Sequence, residues 1–327
     1  MGAEGKSVKT IGVLTSGGDC PGMNAAYRAV ARVGLARGYR VVAFRWGYKG
    51  LIENDAFSVS YLDLADILQR GGTVLGSARC DEFEEEAGRL AAMESLKSRE
   101  VDYLVVIGGD GSLTGSLAIA RLGAKIVGIP KTIDNDVPEL DTTIGFDSAV
   151  NTVVDALTKL RDTASSHHRA FVVETMGRGS GWLALASGIA GGADIILVPE
   201  VPVDYPALAK EVERRLHAWG AYVLIVVAEG AASGNDVQTV LSSLIAKPVD
   251  MRVTVLGHVQ RGGSPTAYDR ILASRLGYEA VKSIDRGEYG VYVGLSGNKI
   301  KSFPLERLEG ERRTIDFSLY ELSRLLK

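Results

Sequence analysis

Cysteine is nearly absent from this chain: Cys20 and Cys80 are the only two among 327 residues. A disulfide framework is not indicated, and a cytoplasmic, reducing setting is expected. No sign of charge dominates either. Thirty-seven Lys and Arg stand against 40 Asp and Glu, a net charge of −3. That supplies no field to attract nucleic acid or an anionic membrane, so neither is expected as a partner. Any anion site must be assembled locally. Long apolar runs are missing as well. The longest uncharged stretch, 179–193, holds five glycines; it stops short of the ~18 apolar residues a membrane span requires. The opening residues Met1-Gly2-Ala3-Glu4-Gly5-Lys6 carry no apolar core of a signal peptide, so no export is expected. Asn and Gln together number only nine, and scarce thermolabile amides are one trait of thermophile proteins.

What remains is an ordinary globular composition, 46% hydrophobic and 24% charged, with a length that suits about two domains. Short apolar runs alternate with helical patterns throughout. Strands are expected at 9–14, 40–44, 101–107, 124–129, 170–174, 193–198, 222–227 and 252–256. Helices are expected at 23–35, 62–68, 82–97, 148–161 and 268–283. In 148–161, Val150, Val153, Val154, Leu157 and Leu160 form a stripe of helical period. Strands alternating with helices imply right-handed βαβ crossovers, hence an α/β fold with mostly parallel sheets and helices on both faces.

Two acidic loops stand out. One is Gly108-Gly109-Asp110-Gly111-Ser112, after the strand 101–107. The other is Pro130-Lys131-Thr132-Ile133-Asp134-Asn135-Asp136, after the strand 124–129. Consecutive strands of an α/β sheet usually lie side by side, so both loops should open at one carboxyl edge. Glycines let backbone N–H groups approach a phosphate. A neighbouring carboxylate, Asp110, can hold magnesium, which binds through one or two carboxylates plus phosphate oxygens. Asp134 can accept a proton from an attacking hydroxyl. The chemistry this suggests is phosphoryl transfer, which depends mostly on positioning and charge stabilisation. Taken singly, each loop also reads as a plain turn, because Gly, Asp and Asn favour turns. Gly17 and Gly18 form a further glycine loop before a helix.

Seven strings together resemble the 6-phosphofructokinases: TSGGDCPGMNAA (15–26), RGGTVLGSAR (70–79), IGGDGS (107–112), PKTIDND (130–136), ETMGRGSGWLA (174–184), AEG (228–230) and LGHVQRGGSPTAYDR (256–270). The resemblance covers essentially the whole chain. It implies two doubly wound, mostly parallel domains with the active site in the cleft between them. The larger, binding nucleotide and magnesium, would take 1–145 with 258–305. The smaller, binding sugar phosphate, would take 146–257 with 306–327. It implies Mg2+-dependent transfer of a phosphoryl group to the 1-hydroxyl of fructose 6-phosphate, a glycolytic step. It also implies a homo-oligomer, usually a tetramer.

Residue by residue, the resemblance makes Asp134 the general base and has Thr132 hydrogen-bond the 1-hydroxyl or the transferring phosphoryl. Asp136 orients magnesium or the site arginine. Asp110 becomes the magnesium ligand, and Gly109, Gly111 and Ser112 lie against donor phosphates. Gly18, Tyr48, Arg79 and Cys80 match nucleotide positions, Cys80 through backbone or packing. Arg169, Arg252, His258 and Arg261 match sugar-phosphate positions, Arg169 and Arg252 reaching a neighbouring subunit's site. Met176, Gly177 and Arg178 lie near the transferred group, and Glu229 binds sugar hydroxyls. His167 and His168 read as structural.

Two positions speak to the donor, in opposite directions. Members using ATP keep glycine where this chain has Gly111; members using pyrophosphate carry aspartate, which would fill the place of an α-phosphate. Pyrophosphate users also carry lysine where this chain has Lys131. A steric and electrostatic block excludes a ligand, whereas an extra cation helps either donor. ATP is therefore the expected donor and pyrophosphate the alternative. At the family's effector pocket, Arg28, Arg32 and Arg161 match. Tyr61 stands in place of an arginine, Asp194 in place of a glutamate, and Ala218-Trp219-Gly220 where lysines are usual. Weak or absent control by phosphorylated effectors is expected. A Rossmann dehydrogenase is disfavoured, since neither glycine loop is G-x-G-x-x-G. A sugar-phosphate sensor would not need Asp110 and Asp134 together.

Overall fold

The computed structural model describes residues 8–218, 222–310 and 312–326. In chain order its elements are β1 (Thr10–Ser16), α1 (Met23–Ala36), β2 (Arg40–Phe44), α2 (Tyr48–Ile52), β3 (Ala56–Ser58), α3 (Glu86–Ser98), β4 (Tyr103–Gly108), α4 (Asp110–Arg121), β5 (Ile126–Pro130), α5 (Phe146–His167), β6 (Ala170–Thr175), α6 (Trp182–Ala190), β7 (Ile195–Leu197), α7 (Tyr205–Ala218), β8 (Val223–Ala228), α8 (Gly234–Leu244), β9 (Met251–Val255), α9 (Ala267–Asp285), β10 (Val291–Ser296), β11 (Lys299–Pro304) and α10 (Phe317–Leu325). They form two compact units. One comprises residues up to 132, 137–145 and 261–312; the other comprises 133–136, 146–260 and 313 onward.

The first unit is built on a seven-stranded sheet in the order β11-β10-β5-β4-β1-β2-β3. Its five inner strands are parallel, and antiparallel β3 and β11 close the two edges. All seven residues of β1 are buried, as a strand covered on both faces requires. Successive side chains of a strand point to opposite faces. Thus Tyr103, Val105 and Ile107 of β4 join Ala26, Val30, Leu272 and Leu276 of α1 and α9. Leu104 and Val106 join Leu96, Leu113 and Leu117 of α3 and α4. α1 and α9 touch at Gly277, where a Cβ would lie 2.6 Å from Ala29 Cβ.

The second unit holds a four-stranded, wholly parallel sheet in the order β7-β8-β6-β9. α5 buries Val153 and Leu157, part of the stripe read in the sequence. The uncharged stretch 179–193 contains α6, whose Leu183, Ala184 and Leu185 are buried. Among the described residues no helix is long and apolar enough to cross a membrane.

Some expected elements differ. The helix expected at 62–68 is only a 3-10 turn, Leu62–Leu64. Asp63 Oδ2 accepts hydrogen bonds from the backbone and hydroxyl of Ser60, and Asp66 adopts a left-handed conformation that ends the turn. The β10–β11 hairpin, α7 and α8 were not foreseen. The hairpin turns on Gly297-Asn298, both at positive φ, a recognised two-residue hairpin signal.

Candidate active site

Three loops leave the carboxyl edge of the first unit's sheet at one level, because Ser16 is registered with Gly108 and Gly108 with Pro130. They are cross-linked. Ser112 Oγ lies 3.0 Å from Ser16 Oγ. The Lys131 N–H donates to the Gly108 carbonyl at 3.0 Å. Lys131 as a residue is only 2% exposed, and its ammonium donates to the Gly18 carbonyl. A fourth segment, 70–77, closes over them. Asn24 donates to the Arg70 carbonyl at 2.9 Å and accepts from the Val74 N–H at 2.8 Å. Ser77 Oγ donates to the Gly17 carbonyl at 2.6 Å.

These loops border a cavity of about 1300 Å³ lined by Gly18, Tyr48, Arg79, Cys80, Gly111, Ser112 and Arg261, all singled out from the sequence. Phe83, Arg89 and Thr114 also line it and were not. The Tyr48 hydroxyl donates to the Ser112 carbonyl at 2.6 Å, and its ring stacks on Phe83 at 3.8 Å between centroids. Burial drives the Tyr48 phenol above its ordinary range and raises the Cys80 thiol. Cys20 is pushed up to about 12 by burial, against the opposing charge of Lys131. Neither cysteine is set up as a thiolate. Arg261 sits against Gly18, where a Cβ would lie 2.5 Å from its Nη1. A Cβ at Gly111 would meet nothing within 4 Å.

Asp110 is the first residue of α4. The helix has no side-chain cap at Gly109, so its first N–H groups remain for an anion. The Asp110 carboxylate is 31% exposed and lies 3.3 Å from Arg312 Nη2. Among the described residues no cluster of three His, Cys, Asp or Glu is arranged to hold a metal alone. One accessible carboxylate beside a glycine cradle fits magnesium, which keeps waters and shares phosphate oxygens. Thr132 is fixed through its backbone: its N–H donates to the Ile144 carbonyl at 3.1 Å, and its carbonyl accepts from Thr143 Oγ1 at 2.7 Å.

In the second unit, the Asp134 carbonyl accepts from Ser180 Oγ at 2.8 Å, and the Asp136 carbonyl accepts from the Arg313 N–H at 3.0 Å. Between them Asn135 is left-handed and buried. The Arg313 guanidinium lies 4.2 Å over the Trp182 ring. Met176, Gly177 and Arg178 leave the carboxyl end of β6. Gly177 has φ +128° and lies so near Ser180 that a Cβ would sit 2.5 Å from its carbonyl oxygen. Glu229 leaves β8, its N–H donating to the Thr175 carbonyl at 2.9 Å. His258 follows β9 in a segment pinned by buried Gln260, which accepts from the Met176 N–H at 3.2 Å.

Arg169 and Arg252 lie elsewhere. Arg169 immediately precedes β6 and Arg252 is the second residue of β9, so both stand at the amino edge of this sheet. Six residues of strand at ~3.3 Å each separate that edge from the carboxyl edge by roughly 20 Å. Both arginines reach Asp250, at 2.5 and 2.8 Å through Nε. Asp250 was not foreseen; an aspartate beside an arginine at a strand start reads as an ordinary solvated edge.

Of the effector positions, Arg28 and Arg32 share a face of α1, where burial and then the Arg32 charge lower the Arg28 pKa. The Arg32 guanidinium lies 5.6 Å from the Tyr61 ring. Arg161 donates to the Gly191 and Gly192 carbonyls. Asp194 is held by Arg215 at 2.9 Å and the Leu224 N–H at 2.9 Å. Ala218 ends α7; Trp219 and Gly220 lie outside the described residues.

Known proteins resemble this chain. An "ATP-dependent 6-phosphofructokinase" of Thermotoga neapolitana is 50% identical over 98% of this chain and 100% of its own length. One of Clostridioides difficile is 48% identical over 98% and 99%. A solved phosphofructokinase from Saccharomyces cerevisiae overlays 92% of this chain at 40% identity with a TM-score of 0.84; the chain spans 45% of that longer protein. The family model for phosphofructokinase matches residues 10–284, from the first strand through the last helix of the first unit. With three glycine-rich and acidic loops at one sheet edge, this chain belongs to the phosphofructokinase family.

Proposed function

We propose that this chain transfers the γ-phosphoryl group of ATP to the 1-hydroxyl of fructose 6-phosphate, giving fructose 1,6-bisphosphate and ADP. The observation that carries this reading is the cavity ringed by cross-linked phosphate loops, with open space at Gly111, in a chain half identical to ATP-dependent relatives. Donor phosphates lie against Gly18, Gly109, Gly111 and Ser112, facing the N–H groups of α4. Tyr48, Arg79 and Cys80 border the nucleotide. Asp110 would hold Mg2+, which neutralises charge on the phosphates when bound. Lys131 adds a fixed positive charge beneath the same loops. It helps either donor and does not exclude ATP.

The first unit serves mainly the donor, and the second mainly the sugar. Asp134 accepts the proton of the 1-hydroxyl. An ordinary aspartate is a weak base, but it is charged at pH 7 and needs to take the proton only as the new bond forms. Thr132 hydrogen-bonds that hydroxyl, and Asp136 and Arg178 orient the transferring group. Met176, Gly177, Glu229, His258 and Arg261 hold the sugar phosphate. Arg169 and Arg252, at the far edge of their own sheet, serve the site of a neighbouring copy. That placement supports a homo-oligomer, a tetramer in this reading, and we assign it to the cytoplasm.

Asp134→Asn tests the chemistry. General-base catalysis contributes roughly 10²–10⁴, so kcat should drop by about that factor while calorimetry shows fructose 6-phosphate still binding. Undiminished kcat would remove Asp134 from its role.

A further inference from the structure

We propose that Asp250 is a positioning residue that presets Arg169 and Arg252 as a two-guanidinium clamp for the phosphate of the sugar substrate. This rests on the function proposed above. The parallel pairing of β6 with β9 sets Ala170 beside Met251, which brings Arg169 beside Asp250 at the start of the two strands. The Ala170 N–H donates to the Asp250 carbonyl at 3.1 Å and ties the backbones there. Arg252 lies two residues beyond Asp250, hence on the same face of β9. One carboxylate thus stands between the two arginines, with Oδ2 on Arg169 Nε at 2.5 Å and Oδ1 on Arg252 Nε at 2.8 Å.

Contact through Nε is what makes the arrangement useful. A guanidinium held by Nε keeps its terminal Nη pair directed outward, the pair that meets a phosphate bidentately. Two neighbouring guanidinium groups repel each other and would fan apart on their long stems. The single negative charge of Asp250 offsets that repulsion and leaves a net positive charge for a phosphate dianion. Both side chains remain accessible, Arg169 at 29% and Arg252 at 58%. Although burial tends to raise the Asp250 carboxyl, the arginine pair outweighs it and holds the group below its ordinary range. It is therefore charged at neutral pH. A clamp ordered beforehand spares the ligand the cost of ordering it.

The test measures initial rates against fructose 6-phosphate at saturating MgATP for the wild type, Asp250→Asn and Asp250→Glu, with a thermal melt of each. Asp250→Asn should raise KM for fructose 6-phosphate about tenfold, by loss of preorganisation. Its kcat, KM for ATP and melting temperature should stay near wild type, and Asp250→Glu should recover most of the lost affinity. An unchanged or lowered KM for the sugar would overturn the proposal, since a carboxylate that merely competes with phosphate predicts the lowering. A rise shared with KM for ATP and accompanied by a lower melting temperature would reduce Asp250 to a structural role. A wild type that turns over with unaltered KM in Asp250→Asn sinks the Asp250 assignment alone; a wild type inert toward fructose 6-phosphate sinks the function reading and the clamp with it.

Discussion

A Cβ at Gly111 meets open space, so neither packing nor backbone conformation requires glycine there. In the proposed account, what the position keeps clear is room for the donor's phosphates. Gly111→Asp should therefore fold and melt like the wild type. Its kcat/KM for ATP should fall by about a hundredfold or more, because like charges brought together cost several kcal/mol. An unchanged kcat/KM would show that the donor is selected elsewhere. Lys131 is enclosed differently: the residue is buried and its ammonium donates to the Gly18 carbonyl, which makes it part of the loop framework. Much of this was legible in the sequence because Asp110, Gly111 and Ser112 directly follow an apolar strand. Phe83 and Arg89 were not legible as cavity residues. Phe83 sits in the 3-10 turn Asp81–Glu84, which has no long periodicity to reveal which way it faces.

Among the elements, the parallel strands announced themselves by unbroken apolar runs, as strands buried on both faces do. The helix expected at 62–68 failed because local hydrogen bonds of Ser60 and Asp63 competed with the helix backbone. α7 was missed although its Glu211, Arg214 and Arg215 lie at helical spacing. There Arg215 bridges Glu211 at 2.6 Å and Asp194, just before β7, at 2.9 Å, with only 11% of its side chain exposed. The Glu211 carboxyl is held at about 2, by hydrogen bonding from Arg214 first, against burial, with Arg215 adding to it. A depressed carboxyl contributes stability above its ordinary value of 4.5 and loses it as pH falls through about 2. Glu211→Gln should therefore melt below the wild type at pH 7, with the gap closing between pH 4.5 and 2 by calorimetry. A gap independent of pH would show that Glu211 acts through packing alone.

For the whole molecule, a net charge of −3 means that two anionic substrates must be gathered by local cations and helix ends. In the proposed account the first unit would supply Lys131, Arg79 and Arg261 with the N-terminus of α4, and the second would supply Arg178 at one sheet edge and the arginine pair on Asp250 at the other. The expected strands 170–174 and 252–256 already put Arg169 and Arg252 at strand starts and Arg178 past a strand end; what only the register of β6 on β9 reveals is that Asp250 stands between the two arginines. Donor and acceptor are tested together by initial rates with fructose 6-phosphate and Mg2+, comparing ATP with pyrophosphate at equal concentration. Fructose 1,6-bisphosphate should form with ATP and not with pyrophosphate. Turnover with pyrophosphate and not ATP would contradict this expectation and make Lys131, rather than Gly111, the residue that sets the donor.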